Sequence, residues 1–297
     1  MLYTKCLLAA IILCFGTSLY GKTIPICSTC AVKSIKTGIE IAADFDTLLI
    51  KKGIYKEFNI LIDKPLTLLG ENFPVIDGEE QGEIIRIVSD NVTVDGLFII
   101  NVGTSYTSDY AAIRVVKSEN FLIQNVSTNN LRYGLHFMFS NDDVYTNNTF
   151  ESNGAGVAVM FSKRIKMLNN TFKKNWGSAA FGMLLKEIND AEISGNTFEE
   201  NTIGINIEGS NRIEYKNNSF IRNGWAVKVL GACYTNTFIN NNFLYNSFDI
   251  SYNSKLNDNV FDQNYWSDYA GYDLDKNGIG DVPYRPVKLF SYIVNRT

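Results

Sequence analysis

Asn-Asn-Thr-Phe stands at 147–150 and at 169–172, and the same motif returns through the centre of the chain. It recurs as Gly-Asn-Thr-Phe at 195–198, Asn-Asn-Ser-Phe at 217–220 and Asn-Asn-Asn-Phe at 240–243. The phenylalanines are 22 to 26 residues apart. A repeat of roughly 20–50 residues is typical of stacked supersecondary units, so the repeat decides the fold.

Each repeat holds short apolar runs that are too brief for a helix. Examples are Gly-Leu-His-Phe-Met-Phe at 134–139 and Gly-Val-Ala-Val-Met-Phe at 156–161. These runs favour β-strands, and the Asn and Gly between them favour turns. Strands in register stack at about 4.8 Å and align the Asn side chains into ladders. The sequence predicts an all-β fold, a right-handed parallel β-helix; leucine-rich repeats would show leucine ladders, and propeller blades have about 40 residues.

The first residues have the pattern of a secretory signal peptide. Lys5 supplies the positive charge, Cys6–Phe15 the apolar stretch and Ser18–Gly21 a small-residue exit. The apolar stretch is too short to span a membrane. We therefore expect residues 1–21 to be a signal peptide and the protein to be a soluble exported one.

The remainder, 22–297, reads as a single β-helix domain without a linker. Helical spacing at 34–43 predicts a short N-terminal capping helix, which would cover the open end of the sheet. A less regular passage at 102–110 predicts a loop, and a C-terminal cap is expected from about 262. The net charge of −4 argues against nucleic acid as a partner.

Alternation along the strands predicts which side chains face outward. In 204–208 the two isoleucines point inward, and aligning the coils on their glycines places further residues on each face. The inward set is Leu135, Phe137, Phe139, Val157, Val159 and Phe161; the outward set is His136, Met138, Ala158 and Met160. The only histidine thus shares a face with two methionines one coil apart, and soft thioethers with an imidazole suit Cu(I). The alternative is surface methionines covered by a loop, with an incidental histidine.

Two other classes of function are open. Exported β-helices include polysaccharide lyases and hydrolases, but the outward positions show no carboxylate pair at hydrolase spacing. Lys186 and Glu208, one coil apart, read instead as a surface ion pair. We expect no enzyme activity; a carbohydrate-active β-helix and a purely structural surface solenoid are the alternatives.

Two further sets of residues are candidate ligands. Cys27 and Cys30 form a Cys-x-x-Cys ahead of any strand, which is either a local disulfide or a soft-metal site. Asp273, Asp275, Asn277 and Asp281 match positions 1, 3, 5 and 9 of a calcium loop, with Tyr284 in place of the final glutamate. The alternative for that loop is a metal-free turn stabilised by Asx side chains.

The chain resembles the NosD family, periplasmic proteins of nitrous oxide reductase maturation. The resemblance is carried by His-Phe-Met-Phe-Ser at 136–140, Val-Met-Phe-Ser at 159–162, and the ending from Asn-Tyr-Trp-Ser-Asp at 264 to Tyr-Arg-Pro at 284–286. It implies a non-enzymatic protein that handles copper, with sulfur as a second cargo, for the copper cluster of the reductase. The implied partners are an ABC transporter (ATPase NosF and permease NosY), the reductase and a copper chaperone lipoprotein.

By that resemblance, His136, Met138 and Met160 match the family's His-x-Met-x-Ser and Met-x-Ser coils. The chain departs from the family pattern in having fewer coils and in stopping at Thr297, without the apolar tail that could dock on the permease.

Overall fold

The computed structural model describes residues 21–105, 107–129, 131–177, 180–253 and 258–287. These residues form an all-parallel β-solenoid of about 10 turns with one short helix near the N-terminus. The predicted parallel β-helix with its capping helix is therefore confirmed. The predicted signal peptide lies outside the described residues, except for Gly21.

Three parallel sheets run along the solenoid, with strands numbered in chain order. Sheet 1 contains β1 (Thr23–Ile26), β2 (Thr47–Ile50), β5 (Thr67–Gly70), β8 (Thr93–Asp95), β11 (Leu122–Gln124), β14 (Val144–Thr146), β17 (Lys166–Leu168), β20 (Asn189–Ser194), β23 (Asn211–Lys216), β26 (Thr237–Ile239) and β29 (Val260–Asp262). Sheet 2 contains β3 (Ile54–Lys56), β6 (Val75–Asp77), β9 (Phe98–Ile100), β12 (Ser127–Asn129), β15 (Thr149–Glu151), β18 (Thr171–Lys173), β21 (Thr197–Glu199), β24 (Ser219–Ile221), β27 (Asn242–Leu244) and β30 (Tyr265–Trp266). Sheet 3 contains β4 (Ile60–Ile62), β7 (Ile85–Ile87), β10 (Ala111–Val116), β13 (Tyr133–Met138), β16 (Ala155–Met160), β19 (Phe181–Lys186), β22 (Ile203–Glu208), β25 (Trp225–Leu230) and β28 (Phe248–Tyr252).

The repeated phenylalanine forms a stack inside the solenoid. Its rings are fully buried or nearly so, and successive centroids are 4.2–5.1 Å apart. The stack contains Phe150, Phe172, Phe198, Phe220, Phe243 and finally Trp266. Each coil places its ring on the next because the strands of sheet 2 pair in register.

The repeated asparagines form the predicted ladders at the turns. Asn196 shows the pattern, because its Nδ2 donates to Asn218 Oδ1 at 3.0 Å and to Met167 O at 2.8 Å. Its Oδ1 accepts from the backbone N–H of Asn170 at 2.9 Å. The ladder contains Asn148, Asn170, Asn196, Asn218, Asn241 and Asn264. Because each amide satisfies buried backbone groups of neighbouring coils, the turns remain hydrogen-bonded away from water.

The helix α1 (Ile35–Ile41) packs against the N-terminal end of the solenoid. Ser34 caps it by accepting from Thr37 N, and Glu57 accepts from the backbone N–H groups of Ile35 and Lys36. Ile35 and Ile39 bury their side chains against the first coils. In the part of the chain that the structure describes, no helix is long and apolar enough to cross a membrane.

The prediction that Phe139 and Phe161 point inward is wrong. β13 and β16 end one residue earlier, and both phenylalanines adopt positive φ angles of 56° and 54°. That left-handed turn breaks the two-residue alternation, so Phe139 is 46% exposed. The two rings instead stack on each other outside the core, with centroids 5.1 Å apart.

Candidate metal centre

Sheet 3 brings His136, Met138 and Met160 to one face. His136 and Met138 lie on β13, and Met138 pairs in register with Met160 on the adjacent β16. The alternating residues Leu135 and Phe137 are fully buried in the hydrophobic core. By alternation, the imidazole and both thioethers therefore lie on the outer face, as the sequence predicts.

The three side chains differ in exposure. Met138 and Met160 are half-buried, whereas His136 is only 1% exposed. The His136 Nδ1 atom is buried and has no hydrogen-bond partner. Burial lowers the pKa of His136 below its usual value, with a smaller lowering effect from Arg114. Burial therefore favours the neutral imidazole, in which one ring nitrogen carries a lone pair that can bind a metal ion.

His136 is covered although it faces outward. The Tyr133 ring lies beside it, with centroids 5.5 Å apart. Arg132 donates from Nη1 to Ser105 O at 2.6 Å, and its Nη2 lies 3.8 Å from Asp109 Oδ1. Asp109 is close enough to His136 to act on its pKa. The contacts of Arg132 thus hold parts of the 102–110 loop over the outer face of β13.

Two charged residues beside His136 were missed by the sequence reasoning. Arg114 pairs in register with His136 on the preceding rung, and its Nη1 lies 3.6 Å from Glu83 Oε2. Arg114 Nε and Glu83 Oε2 are both buried without a hydrogen-bond partner. A signal was present, because Arg114 precedes His136 by one repeat of 22 residues.

The donor set fits a monovalent copper ion. One neutral imidazole and two thioethers are ligands that Cu(I) prefers over hard divalent ions. Of these three side chains, His136 is the one with a buried polar atom that has no hydrogen-bond partner. Among the described residues, no group of three or more His, Cys, Asp and Glu side chains is placed to hold a metal ion.

The C-terminal loop is held by its own backbone. Asp273 accepts from Asn277 N at 3.1 Å and from Gly278 N at 2.9 Å, and Asp281 accepts from Leu274 N at 2.7 Å. The bond from Gly278 is the main cause that lowers the pKa of Asp273. These bonds describe an Asx-stabilised turn, and calcium binding at Asp273, Asp275, Asn277 and Asp281 stays a prediction.

The disulfide lies away from this face, whereas the predicted ion pair continues it, because Lys186 pairs in register with Met160 and Glu208 with Lys186. Cys27 and Cys30 are joined in a disulfide at the N-terminal end of sheet 1, directly after β1, so the prediction that they lie ahead of any strand is wrong. Lys186 and Glu208 form the predicted ion pair at 3.2 Å. Lys228, one rung further, lies instead over the Trp225 ring, with Nζ 4.4 Å from its centroid.

Fold and site together define a parallel β-solenoid that presents an imidazole and two thioethers on the outer face of one sheet. The family model described as "Periplasmic copper-binding protein (NosD)" matches residues 74–271. The chain belongs to the NosD family. The matched residues include β13 and β16, and they end before the Asp273 loop.

Solved structures share the fold at low identity, and no curated protein matches the chain. An alginate lyase from Paenibacillus sp. str. FPU-7 is similar with TM-score 0.64 and 14% identity, over 82% of this chain and 95% of that one. An exopolygalacturonase from Yersinia enterocolitica gives TM-score 0.62 and 11% identity, over 82% and 66%. ORF18 of Geobacillus virus E2 gives 0.55 and 13%, over 77% and 57%, so the chain spans just over half of that protein. At these identities the likeness concerns the fold alone.

Proposed function

We propose that the protein binds Cu(I) through His136, Met138 and Met160 and passes it on during maturation of a copper enzyme. The family description supports copper as the ligand and the periplasm as the compartment. Copper is a cargo in this proposal, so the protein is a binding and delivery module rather than an enzyme.

The observation that carries the proposal is the buried His136 Nδ1 without a hydrogen-bond partner, on the strand that also carries Met138, which pairs in register with Met160. A neutral imidazole binds a metal ion without first releasing a proton, and burial already lowers the pKa of His136. Thioethers add affinity for Cu(I) while excluding calcium, magnesium and manganese, which require oxygen ligands. Three neutral ligands also leave one position of a four-coordinate ion open for transfer to an acceptor.

The receiving protein in this proposal is nitrous oxide reductase. The supplying and coupling partners are a copper chaperone lipoprotein and the ABC transporter formed by NosF and NosY. These partners come from the family resemblance, and sulfur is a second candidate cargo on the same ground. Genes for the transporter and the reductase next to the gene for this chain would support this role, and their absence would count against it.

The test is an anaerobic Cu(I) titration of the protein, with its Cys27–Cys30 disulfide intact, in competition with a chromophoric chelator. We expect wild type to take one equivalent and the His136→Ala/Met138→Ala/Met160→Ala variant to take none. Met167→Leu/Met183→Leu is the matched control, because these two methionines are buried in the core. Equal binding by wild type and the triple variant would overturn the proposal.

A carbohydrate-binding role is the second candidate. On the outer face of sheet 3, the half-buried rings of Trp225 and Phe248 stack with centroids 4.1 Å apart. Such rings can pack against the apolar faces of sugars, and Lys228 lies beside them. Binding or cleavage of a polysaccharide by wild type, lost in Trp225→Ala, would favour this role over copper delivery.

A further inference from the structure

The Cys27–Cys30 disulfide lies at the N-terminal end of the solenoid, far from the methionine pair. β1 is the first strand of sheet 1, and β11, which precedes β13, is the fifth. Four rungs at about 4.8 Å separate the two sites by roughly 20 Å along the axis. One copper ion therefore cannot contact both sites.

The backbone holds the two cysteines together independently of the disulfide. Cys30 N donates to Cys27 O at 3.1 Å, and Cys27 N donates to Val32 O at 3.2 Å. A parallel bridge between Ile26 and Val32 closes the same turn. A disulfide across two intervening residues also removes little chain entropy, so its reduction leaves the turn largely intact. Reduction would give two thiols on a preformed turn.

The turn is open to a small ion. Both cysteines are only partly buried, so a small ion can reach the sulfur atoms. Ser28 of the same turn lines a cavity of about 320 Å³ together with Lys33, Lys52 and Lys56. Cu(I) is the ion that thiolates select. Glu57 also lines the cavity, but its carboxylate is bonded to the start of α1.

We propose that Cys27 and Cys30, once reduced, form a second Cu(I) site, so that the copper capacity of the protein depends on its thiol redox state. The identity of the ion rests on the proposed copper function. A dithiol reductant supplies two electrons and two protons, so the S–S bond breaks, two thiols form and the reductant leaves as a disulfide. Cu(I) binding then forms two Cu–S bonds and releases two protons.

The test compares the oxidised and reduced forms of one sequence. Cys233→Ser is used throughout, because Cys233 is a buried free thiol. Serine suits that position. One coil earlier, Ser210 Oγ accepts from the Ile188 backbone N–H, as the Cys233 sulfur accepts from the Ser210 backbone N–H. The chelator-competition titration with Cu(I) gives the stoichiometry of each form, after the dithiol reductant is removed under anaerobic conditions.

We expect the reduced protein to take two equivalents of Cu(I) and the oxidised protein one. Cys27→Ser/Cys30→Ser should take one in either state. The His136→Ala/Met138→Ala/Met160→Ala variant should take one equivalent when reduced and none when oxidised. The cysteine site can therefore be measured even if His136, Met138 and Met160 do not bind copper. Equal stoichiometry in the reduced and oxidised forms of the Cys233→Ser protein would overturn the proposal.

Discussion

Met138 and Met160 occupy the same position on adjacent rungs of sheet 3, and both side chains are half-buried on its outer face. Adjacent parallel strands are about 4.8 Å apart, a separation that two flexible thioethers can bridge through one ion. His136, two residues before Met138, shares this face. The solenoid thus converts a 22-residue spacing into one face that carries an imidazole and two thioethers.

The covered state of His136 gives the first prediction. As the only histidine, it is the sole imidazole that diethyl pyrocarbonate can modify. We expect slow modification in wild type, because the side chain is 1% exposed, and faster modification in Arg132→Ala, which loses the contacts to Ser105 and Asp109. The absorbance of the modified imidazole measures both rates. Rapid reaction in wild type, as for a free imidazole, would contradict the buried position.

A buried carboxyl gives the second prediction. Burial raises the pKa of Asp143 to about 8, against an unfolded value of 3.8. Between these values the folded state holds a proton that the unfolded state releases, so the free energy of unfolding falls as pH rises from 3.8 to about 8. The slope is about 1.4 kcal/mol per pH unit at most.

Asp143→Asn should remove most of this slope and stabilise the protein at pH 8. Asparagine fits this position. Asn236 lies at the equivalent position of a later coil and accepts from the Ile213 backbone N–H, as Asp143 accepts from the Phe121 backbone N–H. Urea unfolding at several pH values measures the effect. Parallel pH profiles for wild type and variant would show that Asp143 is ionised in the folded state.

The asparagine ladder gives the third prediction. Asn196→Ala leaves Met167 O and the backbone N–H of Asn170 without their partners. Each buried unpaired group costs about 1–3 kcal/mol, so we expect a loss of about 3 kcal/mol or more in the free energy of unfolding. Asn242→Ala is the control, because this side chain is exposed. Equal denaturation midpoints for the two variants would contradict the structural role of the ladder.

The two phenylalanine stacks should differ in their effect on stability. Phe172 is fully buried between Phe150 and Phe198, so Phe172→Ala should cost about 3–5 kcal/mol. Phe139 is 46% exposed and stacks on Phe161 outside the core. Phe139→Ala should therefore lower the free energy of unfolding by about 1 kcal/mol or less. Chemical denaturation compares the two variants. A large loss of unfolding free energy in Phe139→Ala would instead support the inward placement that alternation alone predicts.

The repeat spacing was sufficient to predict the coils but not which outer side chains are covered by loops. Repeat spacing and alternation placed Leu135, Phe137 and Met138 correctly, because each depends only on its own strand and the next rung. Alternation failed at Phe139, since a left-handed turn residue ends the strand. The burial of His136 was not predictable in this way, because it depends on contacts between Arg132 and a loop more than 20 residues earlier.

X-ray absorption of the Cu(I)-loaded protein tests the central claim most directly. The oxidised protein with selenomethionine is used, so that the Cys27–Cys30 disulfide is closed and only methionine contributes selenium. We expect two selenium neighbours and one imidazole nitrogen around copper, with the selenium signal lost in Met138→Ala/Met160→Ala. Copper surrounded only by oxygen and nitrogen, or a selenium signal that survives in that variant, would contradict it.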